Sequence, residues 1–266
     1  MSPRLHTTSV GSQGPRIAFL HGLFGQGKNW NQIAKALGDQ YRSTLIDLPN
    51  HGRSTWTQDF SYQAMADAVA EELDLSAPGE QWIVLGHSMG GKTAMLLALQ
   101  HPELVKRLIV VDISPVSYGG LTTFDDYVEG MQAMDLGRIE NRSDADRAAQ
   151  EWVDDAGVRA FLLQNLRRED DGWRWQMNLD LIARSLADLG GWPQDVASAA
   201  QPYEGATLWV AGSDSGYVQA RNTDAMRALF PRVRLVTIKD VGHWPHSQKP
   251  DVFLSTIRPF LAADRD

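Results

Sequence analysis

The chain contains no cysteine, which excludes a disulfide framework, a thiolate nucleophile and a cysteine-ligated metal. It also has no run approaching the ~18 consecutive apolar residues that a membrane-spanning helix requires. The first residues, Met1 to Gly14, are polar and carry no apolar signal segment, so a cytoplasmic protein without a membrane partner is expected. Excess positive charge is missing too: 25 Lys and Arg against 33 Asp and Glu leave a formal net charge of −8. That balance disfavours phosphate backbones, and nucleic acid is not an expected partner. Internal repeats, low-complexity tracts and coiled-coil heptads are absent. At 266 residues with 43% hydrophobic content, the chain approaches the upper size for a single core, so one domain with an inserted subdomain is expected.

What is present is an alternation of short apolar strands with helical patterns. Strands are predicted at 17–20, 43–47, 82–86, 108–111, 207–211 and 233–238, and helices at 29–37, 61–75, 89–101, 221–230 and 252–261. Ser61 is the expected N-cap of the second helix, and Pro49 to Ser54 reads as a loop. Such alternation calls for a mostly parallel sheet with helices on both faces. It fails between about Ser117 and Gln201, where the sequence is helical, charged and Trp-rich, with Trp173-Arg174-Trp175-Gln176-Met177 ambiguous between strand and helix. The expected organisation is therefore a core of residues 1–116 and 202–266 with a helical lid at 117–201 inserted above the strand ends.

Chemistry concentrates at Gly86-His87-Ser88-Met89-Gly90. A G-x-S-x-G string between a strand and a helix is a nucleophile elbow, whose tight turn exposes the serine at a helix N-terminus. Glycines flank it so that neighbouring chain passes without a Cβ clash. A serine hydroxyl needs a base, and the base needs an acid to hold its tautomer. His243, in the loop after the last strand and directly after Gly242, fits the base. Two aspartates compete for the acid. Asp112 ends the strand beside the elbow strand, while Asp214 follows strand 207–211 one residue before Ser215, the position an acid after that strand would commonly occupy. The spacing favours Asp112 and leaves Asp214 as the alternative. For an oxyanion hole, the backbone N–H groups of Met89 and of Leu23, in His21-Gly22-Leu23-Phe24-Gly25 after the first core strand, are the candidates.

Other patterns carry less. His243 and His246 have an H-x-x-H spacing but no helix and no third ligand, so no metal is expected. Gly25 and Gly27 form neither a dinucleotide fingerprint nor a P-loop, and no cofactor is expected. Lys92 reads as a helix residue or cap contact rather than a catalytic amine. Trp173, Trp175, Trp192 and Trp244 are candidates for an acyl pocket, the alternative being plain packing.

Five stretches, His21-Gly22-Leu23-Phe24-Gly25, Asn50-His51-Gly52, Gly86 to Lys92, Val111-Asp112-Ile113-Ser114-Pro115 and Gly242-His243-Trp244, resemble the YbfF-type esterases of the α/β-hydrolase superfamily, relatives of the ABHD11 group. The resemblance implies the α/β-hydrolase fold and a carboxylesterase or thioesterase using Ser88, Asp112 and His243. The sequence departs at Gly212-Ser213-Asp214, where relatives tend to show Gly-Gly-Asn. The expected partner is a small-molecule ester or thioester, cleaved through an acyl-enzyme. An acyltransferase with an alcohol acceptor and a non-catalytic receptor of the same fold are the alternatives.

Overall fold

The computed structural model describes residues 3–119 and 122–263. The two termini of the expected core and residues 120–121 of the expected insertion therefore lie outside the described residues. In chain order the strands and α-helices begin with β1 (His6–Val10), β2 (Arg16–Leu20), α1 (Asn31–Leu37), β3 (Arg42–Asp47), α2 (Tyr62–Ser76), β4 (Trp82–His87), α3 (Met89–Gln100) and β5 (Val105–Val111). Between β5 and the next strand of the main sheet come α4 (Thr122–Ala133), α5 (Arg142–Ala149), α6 (Ala156–Leu163), β6 (Leu166–Glu169), β7 (Gly172–Trp175), α7 (Leu179–Arg184), α8 (Leu186–Gly190) and α9 (Gln194–Ala199). The chain ends with β8 (Ala206–Gly212), α10 (Thr223–Leu229), β9 (Val233–Ile238), α11 (Pro245–Gln248) and α12 (Pro250–Ala262).

The main sheet has seven strands in the order β1-β3-β2-β4-β5-β8-β9. All its pairings are parallel except β1 with β3. Strand β2 shows why the sheet is covered on both faces. Its alternate residues Ile17 and Phe19 enter one hydrophobic cluster with α1 and α12, while Ala18 and Leu20 enter another with α2 and α3. A strand buried on both sides reads as a continuous apolar run. β2 and β4 are neighbours although β3 intervenes in sequence, so the chain reverses its direction of winding there. Beyond the carboxyl ends of such strands lies the crevice that open α/β sheets use for ligands.

The predicted strands and helices are all found, with ends shifted by a few residues. Helix α2 starts as expected, with the Ser61 side chain accepting from Ala64 N–H at 3.2 Å. The 29–37 segment differs: a 3₁₀ turn at Gly27–Trp30 precedes α1. Strand β1 was not predicted. Its sequence, HTTSV, has none of the strongly apolar pattern of the interior strands because it lies at the sheet edge and is only partly buried. The ambiguous Trp-rich stretch resolves as β7, which pairs with β6 in an antiparallel hairpin. Among the described residues, no helix is long and apolar enough to cross a membrane.

Candidate active site

Ser88 follows β4 as the N-cap of α3 with φ 51° and ψ −118°, a backbone conformation that an L-residue holds only under constraint. The constraint is visible in its surroundings. Ser88 N–H donates to Val111 O at 3.1 Å, tying the turn to β5. A Cβ on Gly90 would stand 2.4 Å from His21 O and 2.6 Å from Leu20 O, and one on Gly22 would stand 2.7 Å from His87 Nδ1. Glycine at these two positions lets the end of β2 approach the serine turn.

His243 lies in the loop between β9 and α11 and is held from both sides. Its Nδ1 is 2.8 Å from Asp112 Oδ2 and its Nε2 is 2.9 Å from Ser88 Oγ. An ionised carboxylate only accepts hydrogen bonds, so Nδ1–H donates to Asp112, and the bare Nε2 accepts from the Ser88 hydroxyl. His87 Nε2–H donates to the His243 carbonyl at 2.7 Å, and the rings of Tyr217 and Trp244 stand 4.2 and 5.4 Å from the His243 ring. The imidazole thus has one available orientation.

Asp112 is fully buried, immediately follows β5 and also has a positive φ, 50°. Besides His243, Gly212 N–H donates to its Oδ1 at 2.9 Å and Ser215 Oγ donates to its Oδ2 at 2.5 Å. A carboxylate with three donors repays much of its desolvation. Asp214 is exposed, and its carboxylate accepts from Ser213 Oγ. The residue after Asp214, not Asp214 itself, reaches the buried acid.

The amides of Leu23 and Met89 have no hydrogen-bond partner among the described residues. Both residues border the same cavity as Ser88. The loop carrying Leu23 is secured by buried polar groups. Leu48 N–H donates to His21 Nε2 at 2.9 Å, which fixes His21 as the Nδ1–H tautomer facing Gly22 O at 2.8 Å. Asn165 Nδ2 donates to Phe24 O at 2.7 Å, and Gln26 Nε2 donates to Asn165 Oδ1 at 2.7 Å. His21, His51, His87 and His246 are all buried, and burial pushes each below the usual histidine value, His51 and His246 to about 3. Near neutral pH they are neutral scaffolding around the one histidine that reaches the serine.

The cavity beside Ser88 is walled by Leu23, Tyr62, Ile113, Phe124 and Tyr217, among others, and includes Lys92. Trp173 and Trp192 sit elsewhere. Trp173 lines a separate groove with Trp56 and Trp175, beneath the guanidinium of Arg142 at 5.3 Å. Trp192 lines another groove with Phe60 and Pro193. Trp244 alone stands next to the serine–histidine pair, edge-on to His243 and 6.2 Å from Phe161. Ser215, His87, Asn165 and Tyr217 form part of the site's framework without having been marked as its members in the sequence. Ser215 and His87 sit inside motifs that could have flagged them. Asn165 carries no sequence signal, because its role exists only once α6 lies against the loop after β2.

The family model described as the alpha/beta hydrolase fold matches residues 15–250. The sn-1-specific diacylglycerol lipase ABHD11 of Mus musculus is 39% identical over 257 residues, covering 93% of this chain and 81% of the mouse protein. Esterase YbfF of Escherichia coli K12 is 30% identical, covering 92% of each chain. Among solved structures, a marine microorganism esterase superposes with a TM-score of 0.90 at 32% identity, covering 95% of this chain and 97% of that one. With a seven-stranded sheet and an elbow serine of this geometry already in place, these likenesses establish that the chain belongs to the α/β-hydrolase family, as a carboxylesterase-like hydrolase of the YbfF type related to ABHD11.

Proposed function

We propose that the protein cleaves small carboxylic esters, thioesters included, through an acyl-enzyme on Ser88, with His243 as base and Asp112 as acid. The observation that carries this reading is the unbroken line from Ser88 Oγ to His243 at 2.9 Å and from His243 to Asp112 at 2.8 Å. His243 takes the hydroxyl proton as Ser88 Oγ attacks the ester carbonyl, then gives that proton to the departing alcohol or thiol. Water then attacks the acyl carbonyl carbon as His243 takes its proton, and the acyl–Oγ bond breaks as His243 returns that proton to Ser88 Oγ, releasing the carboxylic acid. Asp112 stays ionised, holding the Nδ1–H tautomer and stabilising the imidazolium. The unpartnered amides of Leu23 and Met89 serve the developing oxyanion, a contribution of about 3 kcal/mol per well-placed donor.

In the same reading, segment 117–201 acts as a lid over the acyl pocket, and its attachments to the core support that role. Tyr62 Oη donates to Leu189 O at 2.7 Å, and Asn178 N–H donates to Asn50 O at 2.9 Å. Exposing the protein to a fluorophosphonate probe tests the assignment. Wild-type protein is expected to be labelled and to hydrolyse p-nitrophenyl butyrate, and folded Ser88→Ala to do neither. A Ser88→Ala protein that turns over the ester at the wild-type rate would refute it.

A further inference from the structure

Helix α3 is buried along nearly its whole length, and its interior side chains are apolar except Thr93 and Lys92. A lysine in such a helix loses its hydration without gaining apolar contact at its head, so its partners explain its presence. Lys92 is 1% exposed. Its Nζ donates to Gly190 O at 2.8 Å and also to Gly191 O, at the end of α8, and sits 5.0 and 5.5 Å from the ring centres of Tyr118 and Tyr62. Those same two residues are tied to the turn, Tyr62 through Leu189 O and Tyr118 N–H through Gly190 O at 2.9 Å. No carboxylate pairs with Lys92 among the described residues. Burial accordingly pushes its ammonium down to about 7.

Position gives this contact a consequence. Ser88 caps the N-terminus of α3 and Lys92 lies within its first turn, so both stand at the same end of the helix. Both border the same cavity, together with Gly190 and Leu189. That cavity is small, about 30 Å³. We propose that Lys92 is a specificity-determining residue that pins the end of α8 across the far end of the acyl pocket and so restricts the enzyme to short acyl groups. The proposal rests on Ser88 being the acylated residue.

The test compares p-nitrophenyl acetate, butyrate and octanoate with wild-type protein, Lys92→Met and Tyr62→Phe. Methionine fills most of the space of the lysine stem but cannot donate to the Gly190 and Gly191 carbonyls. For Lys92→Met the octanoate-to-butyrate ratio of kcat/KM is expected to rise by about tenfold or more, the worth of at least one methylene in an apolar pocket, with the change carried mainly by the KM for octanoate. Tyr62→Phe, which removes a weaker tie to the same turn, is expected to shift the ratio in the same direction by less. A folded Lys92→Met with an unchanged ratio overturns the proposal. Should Lys92→Met melt far below wild type, an unchanged ratio in Tyr62→Phe overturns it instead. Fluorophosphonate labelling of wild type, lost in Ser88→Ala, tests the hydrolase reading separately, so a failure of that reading is distinguishable from a failure of the Lys92 proposal alone.

Discussion

At the scale of single residues, the two aspartates that the sequence left as candidates for the acid lie in different surroundings. Asp112 has no exposed surface and three donors, one of them His243, whereas Asp214 is exposed and bonded to its neighbour Ser213. On the proposed assignment, Asp112→Asn lowers kcat on a small ester by about 10⁴, because an amide no longer fixes the Nδ1–H tautomer or balances the imidazolium. Asp214→Asn is expected to change kcat less than about threefold, within the range of a surface substitution. Steady-state kinetics on the two purified variants separates these outcomes. Ser215→Ala removes one donor to a buried carboxylate and is expected to reduce stability by about 2 kcal/mol, read by urea unfolding. Ser215 shows how a position can matter without holding the role its place in the family suggests. Its hydroxyl reaches the same carboxylate that an acid at its own position would have replaced.

At the scale of elements, the strand–turn–helix unit around Ser88 depends on backbone closeness. Gly90→Val would put a branched Cβ against the carbonyls of His21 and Leu20, whose oxygens lie 2.4 and 2.6 Å from an ideal Cβ. Neither backbone can retreat without breaking the β2–β4 pairing. The expected result is a loss of about 3 kcal/mol or more, together with loss of ester turnover even in the fraction that folds, checked by melting and by kinetics at low temperature. This unit was legible in the sequence because its information is local: an apolar strand, two close glycines and a helix lie within about twenty consecutive residues. Strand β1 and the β6–β7 hairpin were not legible for the opposite reason. β1 is a half-exposed edge whose residues pair with β3, far away in the sequence, and β6 contains two arginines in four residues. Trp173 and Trp192 stand apart from the serine for a related reason. A large aromatic ring satisfies its need for burial in any groove, and Trp173 and Trp192 found grooves away from the serine.

At the scale of the whole molecule, four buried histidines couple stability to pH. Burial holds His21, His51, His87 and His246 below their unfolded value near 6.5. Because the folded values are lowered, the unfolded chain takes up more protons as pH falls below about 6.5, and stability declines from there. It keeps declining until pH reaches the folded values, about 3 for His51 and His246. Between pH 7.5 and pH 5 each of these two is expected to remove about 2 kcal/mol. The urea midpoint should fall accordingly over that range. His246→Phe, which keeps a ring against Trp30 at the 4.2 Å stack, should flatten the decline.

The sequence by itself determined the class of fold, the elbow serine and the late histidine, because each is written in contiguous residues whose periodicity and turn chemistry need no distant partner. Only the tertiary structure decided what surrounds Ser88. The buried surroundings of Asp112, the pinning of α8 by Lys92 and the histidine scaffold all join residues far apart in the chain. Burial is the physical reason. Whether a carboxylate, an ammonium or an imidazole keeps its charge and its direction depends on how many donors, acceptors and rings close around it, and that number exists only after the helices have settled on the sheet.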